Sequence, residues 1–265
     1  MIKEVSSKVK KLCKMSEYSL KRFINKTMKL EPQIRKYRLL EKFPNYLNEV
    51  LIGVLLSDGS IERPSKTGGA RFSVVMGKST LPYIEYLFTL FRPFTDSGLS
   101  YIDVKNKNSS KEEFDPKIYT TVRFKTVMLP LLVNYHNLFY AAVENSQRYV
   151  KIIPETIESL MTPVVLAHLI MGDGNLQKNN GIIRIYTNSF TKLEVEMLAR
   201  AISNKLGIIT RVVHDRNDQY MLCISRSQLD KVITQLEGHM HPSMLYKLGI
   251  TNNSFDIEKI LAQVR

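Results

Sequence analysis

Apolar positions along the chain fall into two alternating spacings, one helical and one two-residue. The run Leu51-Ile-Gly-Val-Leu-Leu-Ser-Asp58-Gly59 has helical spacing and stops at Asp-Gly, and it returns as Leu166-Ala-His-Leu-Ile-Met-Gly-Asp173-Gly174. Self-similarity at a fixed separation marks a duplicated structural unit. After each copy comes an alternating, β-branched stretch, Arg71–Met76 and Ile182–Thr187, which predicts a strand. Helical spacing follows over Leu81–Phe91 and Thr191–Leu206, the latter closed by Gly207 where a helix C-cap favours glycine. A second pair of strands is predicted at Tyr119–Phe124 and Tyr220–Ser225, then helices at Val127–Tyr135 and Gln228–Leu236. Each repeat closes on a basic segment, Tyr149-Val-Lys151-Ile-Ile-Pro154 and Leu245-Tyr-Lys247-Leu-Gly249, so a lysine recurs along with the aspartate.

Asp103 to Glu113 is polar and reads as a loop, and Asp215-Arg-Asn-Asp218 reads as a turn between strands. The joint from Pro154 to Pro163 is too short to tether independent domains. The expected layout is a basic extension over 1–44 followed by two pseudosymmetric halves, 45–154 and 155–265, packed as one body. In a chain of 265 residues that is 44% hydrophobic, a sizeable core is expected.

The balance of 38 Lys and Arg against 25 Asp and Glu gives net +13, which calls for a polyanionic partner. No run approaches the roughly 18 apolar residues of a membrane-spanning helix, so no membrane partner is expected. Cys13 and Cys223 are too few for a disulfide framework or a four-thiolate zinc site, and a reducing compartment is the economical expectation. The first 42 residues carry thirteen Lys or Arg against four Glu, a lysine-biased pattern interrupted by Glu4 and Glu17 and unlike an Arg-rich transit peptide. Either a solvated basic helix or an arm that adds phosphate contacts satisfies this pattern.

Both Asp-Gly pairs end apolar helices, where the helix dipole carries partial negative charge and an aspartate is disfavoured unless a cation sits beside it. Gly59 and Gly174 are expected to cap those helices with φ > 0. Small residues, Gly53 and Ser57 facing Ala167 and Gly172, would let the two helices approach closely and bring Asp58 and Asp173 together. With the carbonyls of Ser57 and Gly172 these carboxylates make a hard-oxygen set suited to Mg²⁺. Such a site fits phosphodiester hydrolysis, in which a metal activates water and a lysine neutralises the developing charge. Lys151 and Lys247 are the repeat-related candidates, the alternative being ordinary surface lysines. Asn188, at a strand end, caps the next helix or positions water, and capping is favoured by sequence. Arg71, Arg123, Lys125, Arg184, Arg211 and Arg226 alternate with apolar positions and predict basic outward sheet faces, with Lys78 and Arg216 nearby, that could read guanine edges and hold phosphates. The five histidines show no ligand spacing beyond His239-Met-His241.

At these residues, from about position 45 to 250, the chain resembles the monomeric, two-motif LAGLIDADG homing endonucleases; Thr162-Pro163, Thr187-Asn-Ser-Phe190 and Met244-Leu-Tyr-Lys247-Leu add to the likeness. The resemblance implies an α+β protein of two αββαββα halves whose antiparallel sheets form a saddle over DNA. It implies cleavage of both strands of a duplex of roughly 18–22 base pairs, about two helical turns. One motif aspartate would serve each active site, with Mg²⁺ as cofactor and Mn²⁺ as substitute. By position Asp58 and Asp173 take the metal-ligand role, Lys151 and Lys247 the basic role and Asn188 the water-organising role, while Lys78 is the matching position in the first half. The chain departs from the pattern in having Leu56 and Met171 at the earlier acidic position, His168 at a usual small residue and Asn188 where glutamine is common. His168 either packs at the helix interface or hydrogen-bonds across it. The same fold serves group I intron RNA maturases, with or without nuclease activity, and could serve a DNA-binding regulator; intact aspartates favour cleavage. An organelle-encoded intron product in mitochondrion or chloroplast is the expected origin.

Overall fold

The computed structural model describes residues 17–105, 118–146 and 148–250, so Cys13, the first sixteen residues of the basic extension and most of the polar loop fall outside the described residues. The described residues divide into two compact units, one lying within 1–41 and 59–133, the other within 42–58 and 134–265.

In the first unit, helices α1 (Glu17–Met28) and α2 (Pro32–Arg38) precede a four-stranded antiparallel sheet. Its strands β1 (Gly59–Glu62), β2 (Arg71–Gly77), β3 (Ser100–Lys105) and β4 (Ile118–Lys125) run in the order β1-β2-β4-β3. Alternation sends Phe72, Val74, Val122 and Phe124 inward and Arg71, Arg123 and Lys125 to the other face. Between β2 and β3, α4 (Leu81–Phe91) presents Phe91 to Phe72 at 4.8 Å and to Phe124 at 6.2 Å, an aromatic core under the sheet.

The second unit contains α3 (Asn45–Leu55), α6 (Ile157–Leu160) and α7 (Pro163–Asp173). Its sheet joins β7 (Gly174–Gln177), β8 (Ile182–Tyr186), β9 (Thr210–His214) and β10 (Tyr220–Ile224) in the order β7-β8-β10-β9, the same topology as the first. Helix α8 (Lys192–Leu206) packs on β9 and β10 with Leu198 and Ile202 fully buried, and α9 (Leu229–Leu236) follows. A hairpin of β5 (Tyr140–Ala142) and β6 (Tyr149–Lys151) comes after α5 (Leu132–Phe139). In chain order both repeats therefore read αββαββα, beginning with α3 and α7.

Several predicted elements move. The helix expected over Val127–Tyr135 starts at Leu132, because Leu129 makes a β-bridge with Ala70 and Pro130 disfavours helix in the residue before it. Strand β10 ends at Ile224, so Arg226 sits in a 3-10 turn, Arg226–Gln228, rather than in a strand. Gly59 and Gly174 do not take φ > 0. Gly174 is extended (φ −80, ψ 148) and opens β7, and what it requires is space: a Cβ there would stand 2.6 Å from the Ile170 carbonyl oxygen. Gly207 does cap α8 in the left-handed region (φ 63), and its N-terminus has a full capping box between Thr191 and Glu194.

Helices α3 and α7 lie in contact along nearly all-buried faces. At the crossing a Cβ on Gly53 would meet both the Val165 carbonyl oxygen and the His168 Cβ at 2.6 Å. Gly53→Ala is expected to cost about 1–3 kcal/mol by overpacking. Gly238→Ala, where a Cβ meets nothing within 4 Å, should stay within about 0.5 kcal/mol. Denaturant melts of both variants check the contrast, and equal costs would mean the helices are not in this close contact.

Candidate active site

Because α3 and α7 approach so closely, their C-terminal ends coincide. Asp58 stands in the turn just beyond α3 and Asp173 is the last residue of α7. A Cβ on Gly172 would collide with the Ser57 side chain and stand 3.2 Å from Asp58 Oδ2, so the missing side chain at 172 is what admits Asp58 to this end. Of the residues expected to face one another, Ser57 and Gly172 do so, while Gly53 faces Val165 and His168 in place of Ala167.

Each half supplies its lysine to its own motif. Lys151, the last residue of β6 and paired with Tyr140, donates from Nζ to the Ser57 carbonyl at 2.9 Å. Lys247 lies in a 3-10 helix, Pro242–Leu248, whose end is closed by left-handed Gly249. Its ammonium donates to the carbonyls of Met171 at 2.6 Å and Gly172 at 2.8 Å. Both cations thus sit on the partly negative carbonyl ends of the motif helices, the placement helix electrostatics favour. Lys247 is only 8% exposed, which removes the ordinary reading of a solvated surface lysine.

Four ionisable groups share this space. Burial pushes the Asp173 carboxyl up to about 7, and the neighbouring Asp58 charge adds to it, with Lys151 and Lys247 opposing. Asp58, more open to solvent, is raised by desolvation against the same lysines. Desolvation lowers Lys151 to about 8 despite Asp173 and Asp58, and lowers Lys247 in the same way. Perturbed acids and bases gathered at one point are the pattern of a functional site.

A divalent cation fits the donors present. No group of three or more His, Cys, Asp or Glu side chains gathers among the described residues, so the protein offers two carboxylates and the carbonyls of Ser57 and Gly172. Those carbonyls already accept from lysines, and each keeps a second lone pair. All donors are oxygen, leaving coordination positions to water and phosphate, the habit of Mg²⁺.

Asn188 does not cap α8; Thr191 does. It sits in the turn after β8 with its Oδ1 buried and without a hydrogen-bond partner among the described residues, an acceptor suited to an ordered water. His168 packs fully buried against Gly53, and desolvation, followed by His239 and His241, lowers it to about 3, so it is neutral.

On the first sheet, Arg71 and Lys125 both bind Glu62, Arg71 Nη2 at 2.6 Å and Lys125 Nζ at 2.9 Å. Burial acts against the Glu62 charge, yet these hydrogen bonds hold its carboxyl below the ordinary range. Glu62 stands outside the expected set, because Gly59-Ser-Ile-Glu62 is only four residues long and too short for alternation to mark a strand. On the second sheet Arg184 and Arg211 flank Cys223 in one cross-strand row. Lys78 and Arg226 occupy exposed 3-10 turns and Arg216 the β9–β10 turn, where its Nε donates to Gln219 at 3.3 Å.

A paired helix–sheet repeat with two carboxylates and two lysines at one helix crossing defines the two-motif class of this fold. The profile of the LAGLIDADG DNA endonuclease family matches residues 48–232, and the chain belongs to that family. It is 24% identical over 203 residues to the cytochrome b mRNA maturase bI2 of Saccharomyces cerevisiae, covering 76% of this chain and 46% of that protein. It is 27% identical over 203 residues to the maturase of the same name from Debaryomyces hansenii, covering 76% and 72%. The chain thus spans about half the length of the first of these relatives. The fold is shared with the homing endonuclease I-WcaI bound to its DNA recognition sequence, at 21% identity and a TM-score of 0.70, over 85% of this chain and 97% of that one.

An aspartate whose folded pKa stands near 7, above its ordinary 3.8, favours folding only while protonated. That contribution is full below about pH 4 and is lost as pH rises through 7. Without divalent metal, Asp173→Asn is therefore expected to melt higher than wild type at pH 8, with the gap closing toward pH 4. Thermal melts across that range check it; a gap independent of pH would place Asp173 in open solvent.

Proposed function

We propose that this chain is a site-specific double-strand DNA endonuclease that hydrolyses phosphodiesters with a divalent metal, Mg²⁺ with Mn²⁺ as substitute. The observation that carries the reading is the convergence of Asp58 and Asp173 with a lysine from each repeat bonded to the carbonyls beside them. A DNA-binding module has no need to bury that constellation.

A bound metal would supply Lewis acidity and lower the pKa of an attacking water. Asp58 and Asp173, with the carbonyls of Ser57 and Gly172, would hold it. Lys151 and Lys247 fix those carbonyls and place positive charge where the phosphorane-like transition state gains negative charge. Asn188 offers Oδ1 to orient a water. On the sheets, Arg71, Arg123, Lys125, Arg184 and Arg211 meet the grooves of a duplex of roughly 18–22 base pairs, about two turns, with Lys78, Arg216 and Arg226 on its phosphates. Residues 1–44 are read as an extension, with 45–154 and 155–265 each bringing one motif to a monomer.

A group I intron RNA maturase, with or without nuclease activity, is the second reading, favoured by the relatives named as cytochrome b mRNA maturases. The same names support an organelle-encoded intron origin.

Incubation with Mg²⁺ and a randomised duplex library, followed by sequencing of cut ends, tests the proposal. Wild type should cut a discrete site, and Asp58→Asn or Asp173→Asn should lose at least about a hundredfold in rate. Absence of cutting with any divalent metal, alongside intact binding of intron RNA, would transfer the assignment to the maturase.

A further inference from the structure

Helices α1 and α2 lie ahead of the region matched by the family, 48–232, and they are built onto the first unit. Arg38 of α2 is 4% exposed and donates to the carbonyls of Pro93 at 3.3 Å and Thr95 at 3.1 Å and to Asp96 Oδ1 at 2.7 Å. The other oxygen of Asp96 takes Lys26 Nζ of α1 at 2.7 Å. Tyr37 meets the edge of Phe94 at 6.0 Å, and Ile24 and Thr27 are buried. This segment is a seated arm, anchored by a buried arginine.

Seating the arm creates a cleft of about 650 Å³ against the sheet. Arg22, Lys26 and Arg38 from the arm line it together with Arg71, Arg123 and Lys125 from β2 and β4. Asp96 in its wall and Glu62, bonded to Arg71 and Lys125, offset part of this charge and leave the cleft net positive. Three of its cations belong to the outward sheet face that the proposed function lays on DNA. A ligand in the cleft and a duplex on the sheet would compete for them unless the two are one polymer.

We propose that the arm and the first sheet form a phosphate-backbone clamp, through which this chain extends its grip on duplex DNA beyond the bases read by the sheet. The inference rests on the DNA-binding reading above. It assigns the arm a sequence-independent role: neutralising phosphates and releasing counterions, so that each contact adds about one unit to the slope of log affinity against log salt.

Arg22 is exposed, lines the cleft and stands outside the anchoring contacts of Arg38 and Lys26, so its replacement leaves the arm seated. Lys29, exposed on the same arm but not lining the cleft, supplies the matched control. Full-length wild type, Arg22→Ala, Arg22→Glu and Lys29→Glu would be titrated with a labelled mixed-sequence duplex at salt from about 50 to 200 mM. Arg22→Ala is expected to weaken binding about three- to tenfold and reduce the salt slope by about one, with Arg22→Glu worse and Lys29→Glu near wild type. Equal effects of Arg22→Glu and Lys29→Glu would reduce the arm to diffuse charge and overturn the clamp. Weakened binding of a structured RNA with duplex affinity unchanged would overturn it in favour of an RNA site. Wild type that binds no duplex at all would instead be a failure of the underlying DNA reading.

Discussion

The approach of helix α3 to helix α7, close enough that Gly53 has no room for a Cβ against Val165 and His168, is the contact on which the site depends. Two helices carrying larger residues at those crossings would stand farther apart, and their C-terminal aspartates with them. The same contact excludes a side chain at Gly172, where Ser57 and Asp58 come in from the opposite helix. Small residues are therefore a geometric requirement of the chemistry as well as of the packing.

Bringing two carboxylates to the negative ends of two helices is electrostatically unfavourable, and the fold offsets it with lysines delivered from distant segments. Lys151 arrives on a hairpin strand and Lys247 on a 3-10 turn, yet both end on the carbonyls next to the motif aspartates. Two anions and two cations nearly cancel without satisfying the carboxylates, since Asp173 remains raised to about 7. A divalent ion would relieve that strain by favouring the ionised forms of both acids.

Much of this was legible in the residues. The duplicated Asp-Gly runs, the strands at Arg71 and Ile182, the helix at Leu81–Phe91 and the Gly207 cap all follow from spacing and cap chemistry. What escaped was governed by tertiary contacts. Neither Gly59 nor Gly174 takes positive φ, and Gly174 is a glycine for want of room, which depends on where the Ile170 carbonyl lies. Leu129 forms a bridge with a residue far away in sequence, which shortens the following helix. The short strands β1 and β7 carry too few residues for alternation to register, so Glu62 and its hold on Arg71 and Lys125 stayed hidden. Lysine recurrence alone could not separate a surface residue from a buried one; only the 8% exposure of Lys247 does so.

The central claim is that Asp58 and Asp173 feel each other's charge at one helix crossing. Its most direct measurement is an NMR titration of the Asp173 carboxyl carbon in metal-free wild type and in Asp58→Asn. The expected result is a pKa near 7 in wild type that falls when the Asp58 charge is removed. An Asp173 that titrates in the ordinary carboxylate range, unchanged by the substitution, would contradict it.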